Sequence, residues 1–283
     1  ALLVTGSARM ETWRQSGESL AGRYWALRLH PISVREWCDV QREAPSVALN
    51  RLLERGGFPE PCLAEDPAVA ERWRRQYYTD LIREDVLEYS RLHEVTAMRL
   101  FAEMLRERVG SPLSLASMAR DLAVAPSTLT RYLDILEALY IVFTVRPWHR
   151  NIARATLQSP KVYFYDTGLV KGGPGLRLEN AVAQMLLKHV HYLQDVQGQA
   201  AGLHYIRTKD GAEVDFVLSN DAGLTHLVEC KTSDASVHRA LASFAARFPQ
   251  AQAIQLVRDL RQEEWRAPVR VTDAATWLAG LAA

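Results

Sequence analysis

Two runs in the C-terminal third place acidic and basic side chains at spacings that can do chemistry. Glu213-Val214-Asp215-Phe216-Val217-Leu218 alternates acidic and apolar residues, and a second run, Leu224 to Cys230, leads into Glu229-Cys230-Lys231. Asn220-Asp221-Ala222-Gly223 between them is turn-forming, so the stretch predicts two antiparallel strands. Strand side chains alternate between faces, which puts Asp215 with Glu213 and Val217, and Glu229 with Leu227 and Lys231. Two carboxylates and an ammonium then form one compact group. Hard oxygen ligands of this kind suit Mg²⁺ or Mn²⁺, which bind through a few carboxylates and keep several waters. A lysine beside the metal can orient a water for attack on a phosphate and stabilise the charge that develops. The competing reading is a salt-bridged strand face, since acids and bases often pair across strands. The apolar setting of Leu227-Val228-Glu229-Cys230 favours the metal site, because central strands seldom carry Glu-x-Lys for packing.

Glu179 supplies a third carboxylate. Leu178 to Val190 has helical periodicity, with Glu179 on the stripe of Val182, Ala183, Leu186 and Val190. A carboxylate on an apolar helix face calls for a metal, a buried hydrogen-bond partner or a role near the helix N-terminus. Glu213 is either an auxiliary ligand or an exposed neighbour, and Arg207 and Lys209 are placed to touch phosphate. The histidines show no metal-ligand spacing.

A helix Glu, a strand Asp and then Glu-x-Lys on the next strand resemble the PD-(D/E)XK nuclease core, and the fourteen-residue step from Asp215 to Glu229 fits its hairpin. With the surrounding text, YFYDTGL, LEN, YIRTKDGAEVDFVL and VECKTS, the chain resembles the prokaryotic AAA+ ATPase family whose C-terminal part is the domain of unknown function DUF4143. That resemblance implies a restriction-endonuclease-like α/β domain with Asp215, Glu229 and Glu179 as metal ligands and Lys231 as their catalytic partner. It also implies that Thr5 and Ser7 of VTGS face nucleotide phosphates and that Arg23 of Gly22-Arg23 acts on a γ-phosphate. No G-x-x-x-x-G-K-[ST] occurs in the chain, so ATP is expected as a cofactor only of a full-length protein. The opening Ala1-Leu2-Leu3-Val4, without methionine, reads as a fragment or a processed product.

At 283 residues, 48% hydrophobic and 24% charged, the chain has room for two or three domains of ordinary globular composition. No apolar run approaches the roughly 18 residues of a membrane span, and no signal peptide is visible. The three scattered cysteines form neither a zinc motif nor a disulfide framework, which points to the cytoplasm and no membrane partner. A net charge of +1 excludes a uniformly basic nucleic-acid glove, so any DNA contact rests on local patches.

The expected architecture is mixed α/β. Residues 1–40 read as the remnant of an AAA+ core, with strands at LLVTGS and GRYWALRLHPIS, and residues 41–93 as a helical linker. There Arg72, Arg74 and Arg75 read as a solvated face, with phosphate contact as the alternative. Residues 94–156 read as a winged helix-turn-helix: Ser114–Leu122, a turn, Ser127 as N-cap, then Thr128–Tyr140. Leu129, Tyr132, Leu133, Leu136 and Tyr140 form its buried stripe. Thr128, Thr130 and Arg131 face outward, where a DNA-reading helix meets the major groove, and Arg150 tips the wing. Residues 157–283 form the nuclease-like domain, with Asp166 in a turn, a helix over Ala235–Phe248, a strand over Ala253–Val257 and a last helix over Asp273–Leu281. The functional expectation is a Mg²⁺-dependent DNA endonuclease module of an AAA+ protein. The alternative is a non-cleaving module that binds DNA or, through the winged helix, a protein. The resemblance leaves room for a homo-oligomer of the full-length protein.

Overall fold

The computed structural model describes Leu3, Thr5 and residues 24–89, 92–149 and 159–282, with backbone alone for 82–89 and 92–95. Its N-terminal half is helical. α1 (Val34–Gln41) opens on a capping box between Ser33 and Glu36. α2 (Pro45–Arg55), α3 (Pro59–Leu63) and α4 (Pro67–Tyr89) each begin on a proline, whose fixed φ suits a first turn and whose missing N–H is not needed there. α5 (Leu92–Arg106), α6 (Leu115–Asp121) and α7 (Pro126–Ala138) follow.

The remaining elements are β1 (Val142–Pro147), β2 (Lys161–Phe164), α8 (Pro174–Asp195), β3 (Gly202–Arg207), β4 (Glu213–Asn220), β5 (Gly223–Lys231), α9 (Arg239–Arg247), β6 (Gln252–Val257), β7 (Glu264–Arg266), β8 (Val269–Asp273) and α10 (Ala274–Ala279). Among the described residues these make one eight-stranded mixed sheet in the order β2-β1-β3-β4-β5-β6-β8-β7. β1 runs parallel to β3, and β5, β6 and β8 are mutually parallel; the other neighbours are antiparallel. α8 covers one face, packing Val182, Ala183, Leu186 and Val190 against Phe216 and Val228. α9 covers the other, packing Leu241, Phe244 and Ala245 against Val214, Val217 and Leu227. No helix among the described residues is long and apolar enough to cross a membrane.

Two buried polar contacts fix the elements, one within the sheet-bearing half and one between the halves. Asn180, fully buried on α8, accepts from the Phe164 N–H at 2.8 Å and donates to the Phe164 carbonyl at 2.9 Å and to Thr167 Oγ1 at 3.0 Å. Its amide thus completes the end of β2 where the ladder stops. Arg74 on α4 donates through Nε to Asp166 Oδ2 at 2.9 Å and through Nη2 to the Arg55 carbonyl at 2.6 Å. Asp166 also accepts from the Gly168 N–H at 3.0 Å, capping a short 3-10 turn over Thr167–Leu169. Gly56 packs so closely here, at φ 75°, that a Cβ would stand 1.8 Å from Asp166 Oδ1.

Several expectations change. Residues 24–33 contain no strand: a strand needs a neighbour to take its hydrogen bonds, and this segment is instead tethered by Arg28, which donates to Asp195 and Gln194 on α8. Arg72 and Arg75 are exposed as expected, but Arg74 is buried by its pairing with Asp166. Ala125, not Ser127, caps α7, because Pro126 takes the first helical position. Leu129, Tyr132, Leu133 and Leu136 are buried, whereas Tyr140 sits past the helix end at φ 54° and is half exposed. The strand expected to lead into a wing, β1, is an interior strand between β2 and β3. Arg150 and Arg154 lie outside the described residues. α9 begins only at Arg239, because Asp234 folds back on the Ser236 N–H and hydroxyl. β7 and β8 have no counterpart in the sequence reading.

Replacing Asn180 with leucine keeps the volume but strands the Phe164 N–H and carbonyl. Each buried unpaired group costs about 1–3 kcal/mol. A loss of roughly 2–4 kcal/mol in urea unfolding is expected; an unchanged midpoint would show that Asn180 does not anchor α8.

Candidate functional site

The expected hairpin forms, and its open end is where the chemistry gathers. β4 and β5 pair from Asn220↔Gly223 to Phe216↔Val228 and then part. Beyond that point β4 stays with β3, through Val214↔Ile206 and Glu213↔Arg207, while β5 stays with β6, through Glu229↔Gln255 to Lys231↔Val257. Backbone groups at such a fork lose their ladder partners, and side-chain carboxylates replace them. Asp215 Oδ2 accepts from the Cys230 N–H at 2.9 Å, and Glu229 Oε2 lies 3.4 Å from the Asp215 N–H. Both carboxylates are therefore fixed by the break in the sheet itself.

A bulge aims Asp215. From His204↔Val217 to Ile206↔Val214, β3 advances two residues while β4 advances three. The extra residue breaks strict alternation. Val214 and Val217 both pack toward α9, whereas Phe216 and Leu218 pack toward α8. Asp215 does not share the face of Val217, contrary to expectation. It turns toward Glu179 on α8. Glu229 does alternate with Leu227 and Lys231 as expected, and Lys231 Nζ donates to Glu229 Oε1 at 2.7 Å.

The centre of the group is a residue the sequence reading missed. Lys161, at the start of β2 and 1% exposed, places Nζ 2.5 Å from Glu213 Oε1, 3.5 Å from Glu179 Oε1 and 3.9 Å from Asp215 Oδ1. Tyr163, two residues on, donates its hydroxyl to Glu179 Oε1 at 2.7 Å. Gly110 closes the other side of Glu179: it holds φ 75°, and a Cβ there would stand 2.5 Å from Glu179 Oε1. A lysine opening an otherwise apolar strand, in Lys161-Val162-Tyr163-Phe164, was the signal available. His238 was also missed. Its Nδ1 stands 3.1 Å from Glu229 Oε1 but out of line for a hydrogen bond. Buried Gln255 fixes it by accepting from the His238 N–H at 2.8 Å and donating to the Ser236 carbonyl at 2.8 Å.

Four carboxylates share this volume with two ammonium groups, Lys161 and Lys231. Burial pushes the Glu179 carboxyl up to about 8, with the nearby Asp215 charge adding to the effect and Lys161 opposing it. Burial, again with Asp215, pushes Glu229 up to about 7, and burial raises Asp215 as well. The carboxylates in turn hold the Lys161 and Lys231 ammoniums above their ordinary value despite desolvation. The group carries more negative charge than its lysines balance and retains a proton near neutral pH. Among the described residues no three His, Cys, Asp or Glu side chains stand close enough to share one metal ion. Lys161 occupies the space between Glu179, Glu213 and Asp215.

Asp215 thus stands between Glu179 on one side and Glu229 with Lys231 on the other. Arg207 stands at the edge of the group, its Nη1 donating to Glu213 Oε2 at 3.0 Å. Thr128, Thr130 and Arg131 lie on α7, a separate element; Thr130 and Arg131 are exposed, Thr128 is half-buried, and Thr130 Oγ1 returns to the Pro126 carbonyl at 3.3 Å. Thr5 is exposed, and Ser7 and Arg23 lie outside the described residues, as does Arg150.

The carboxylates on α8, β4 and β5 fall in one recognisable segment. Residues 174–275 match the domain of unknown function DUF4143. Residues 46–176 match a second domain of unknown function, DUF8612. The site straddles both: Gly110, Lys161 and Tyr163 come from the first segment, and Glu179, Asp215, Glu229 and Lys231 from the second. An uncharacterized protein of Mycobacterium tuberculosis is 32% identical over 248 residues, covering 85% of this chain and 54% of its own length. An uncharacterized protein of Haemophilus influenzae is 20% identical over 233 residues, covering 76% of this chain and 55% of its own length. The chain spans about half the length of these relatives. No solved structure matches it.

The carboxyl shifts fix a pH dependence. An unfolded chain releases the Glu179 and Glu229 protons near the ordinary value of 4.5, while the folded chain keeps them until about 8 and about 7. Between those limits the folded state binds more protons, so stability falls as pH rises. The buried histidines, whose folded values lie below the ordinary 6.5, push the other way at acid pH, so the comparison belongs above them: metal-free protein is expected to unfold at lower urea at about pH 8 than at about pH 7, and Glu179→Gln to flatten that slope. A stability that rises over this interval contradicts the assignment.

Proposed function

We propose that the DUF4143-matching segment is a Mg²⁺- or Mn²⁺-dependent module that hydrolyses DNA phosphodiester bonds. The observation that supports this reading is Asp215 standing between Glu179 and the Glu229–Lys231 pair, three separate elements converging at the opening between β4 and β5. The donor set suits such an ion in kind: all its donors are hard oxygens, and burial, reinforced by neighbouring carboxylates, raises its carboxyl groups. Asp215 and Glu229 would hold the ion, with Glu179 assisting directly or through water. The bound ion would polarise a phosphoryl oxygen and lower the pKa of a coordinated water. Lys231 is the cationic member with solvent reach, 29% exposed against 1% for Lys161. Its ammonium donates to Glu229 and has further donors to orient a water or a phosphate oxygen. Arg207 at the rim offers a phosphate contact. Coupling to an ATPase in a longer protein, with Thr5, Ser7 and Arg23 at its nucleotide, belongs to the same proposal and rests on the resemblance alone. So does DNA contact by Thr128, Thr130, Arg131 and Arg150.

One observation favours the second reading, a non-cleaving module that binds DNA or protein. Lys161 already pairs with Glu213, Glu179 and Asp215, so the group is partly self-satisfied. An ion entering it must draw those carboxylates away from an ammonium that has no other carboxylate partner among the described residues.

Supercoiled and single-stranded DNA incubated with Mg²⁺ or Mn²⁺ separates the readings. Metal-dependent nicking is expected, falling at least about hundredfold in both Asp215→Ala and Lys231→Ala. No nicking by folded parent protein, with DNA bound equally by parent and variants, would sink the nuclease reading and leave the binding module.

A further inference from the structure

Away from the carboxylate group, α4 and α5 enclose a cavity of about 160 Å³ beside Leu169. Arginines dominate its wall: Arg74 and Arg75 from α4, Arg99 and Arg106 from α5, against Glu71 and Glu103. Most of the acid is already spoken for. Glu71 accepts from Arg74 Nη1 at 2.9 Å, and Glu103 accepts from Arg106 Nη1 at 2.8 Å and from Lys171 Nζ at 2.6 Å. Arg106 also donates through Nε to the Leu169 carbonyl, which fixes its guanidinium at the wall. Arg75 reaches Glu71 only at 3.9 Å, and Arg99 forms no ion pair with a described residue. Cationic donors are therefore left over on one side of the cavity.

An independent feature points to a ligand. Tyr78 lines the same cavity and is 9% exposed, yet its hydroxyl has no hydrogen-bond partner. A buried hydroxyl is normally paired, and one left unpaired carries a desolvation cost that only a partner removes. Its ring lies under the Arg106 guanidinium, 5.9 Å from the ring centroid, and its hydroxyl feels Glu103 together with Arg106 and Arg99. Arginine forks with a neutral hydroxyl donor are what recognise a tetrahedral oxyanion. The volume admits a phosphate group.

We propose that the cleft between α4 and α5 is a phosphate subsite, with Arg75, Arg99 and Arg106 supplying charge and the Tyr78 hydroxyl donating to a phosphate oxygen. It is separate from the metal-dependent reading of the carboxylate group and stands or falls without it. Two sources share this chemistry, a small phosphorylated molecule and the backbone of a nucleic acid.

Thermal unfolding of the full chain tests the proposal, with inorganic phosphate titrated at constant ionic strength against chloride. The parent is expected to gain melting temperature saturably with phosphate. Tyr78→Phe should fold at least as stably without phosphate, since it deletes only an unpaired hydroxyl, and should bind phosphate about tenfold more weakly. Arg99→Gln, at an exposed position, should weaken binding similarly. Binding of an oligonucleotide without terminal phosphates assigns the source. Weakening in both variants identifies backbone phosphate, and unchanged oligonucleotide binding beside weakened phosphate binding identifies a small ligand. No phosphate response in the parent, or the same response in the parent and Tyr78→Phe, overturns the subsite.

Discussion

The buried ammonium of Lys161 is the interaction on which the C-terminal architecture depends. Four carboxylates at the parted end of two strands would repel one another strongly in a low-dielectric setting. Lys161 lies within 4 Å of three of them, and its own burial is tolerable only because they surround it. It also fixes geometry. Because Lys161 opens β2, the Glu213 end of β4 and the Glu179 turn of α8 are drawn to the same strand. Asn180 then locks α8 to the other end of that strand through Phe164. Helix, sheet and charged group are thus one mechanical unit, and a change at β2 reaches the carboxylates directly.

This arrangement makes the first segment part of the site. Lys161, Tyr163 and Gly110 all precede the DUF4143 match, yet they touch or closely approach Glu179. Gly110 shows how tight the approach is. Its loop is pinned to β2 by a 3.4 Å hydrogen bond from the Gly110 N–H to the Val162 carbonyl, and no side chain fits between it and the Glu179 carboxylate. The segment 174–275 alone would expose Glu179 and leave Glu213 and Asp215 without their central counter-charge. Two sequence families divide the chain at a point where the structure does not.

The sequence carried the hairpin, its turn, the α8 stripe and the members of the carboxylate group because each obeys a local rule: strand alternation, turn composition or helical spacing. What it could not carry is instructive. The bulge at Asp215 arises from the register of β3 against β4, two steps against three, and neither strand records that mismatch alone. Strict alternation therefore put Asp215 on the face of Val217. Lys161 looked like the polar edge of an apolar strand because its partners lie eighteen to fifty-four residues downstream. Arg74 looked solvated among Arg72 and Arg75, since only the fold brings Asp166 to it. β7 was missed because its only apolar residue, Trp265, is exposed between Glu264 and Arg266; β8, Val269-Arg270-Val271-Thr272, does alternate, and its signal was overlooked.

The two lysines of the group differ in a way that bears on what it can do. Lys161 is 1% exposed, surrounded by three carboxylates and backed by the Tyr205 ring at 5.3 Å, so its ammonium is committed to the interior. Lys231 is 29% exposed and pairs with Glu229 alone. An interior ammonium can balance charge but cannot meet a substrate, whereas a partly exposed one on the rim can do both. Burial raises Glu229, and Lys231 at the solvent boundary opposes that rise by pairing with it. The Asp234–His238 segment beside Glu229 is held by a fully buried glutamine, Gln255. Gln255 spends both amide donors and one acceptance on that segment, which fixes the mouth of the site rather than the sheet beneath it. Rigid support at the mouth, counter-charge in the interior and one ammonium facing outward are the features that the proposed function would draw on to meet a phosphate.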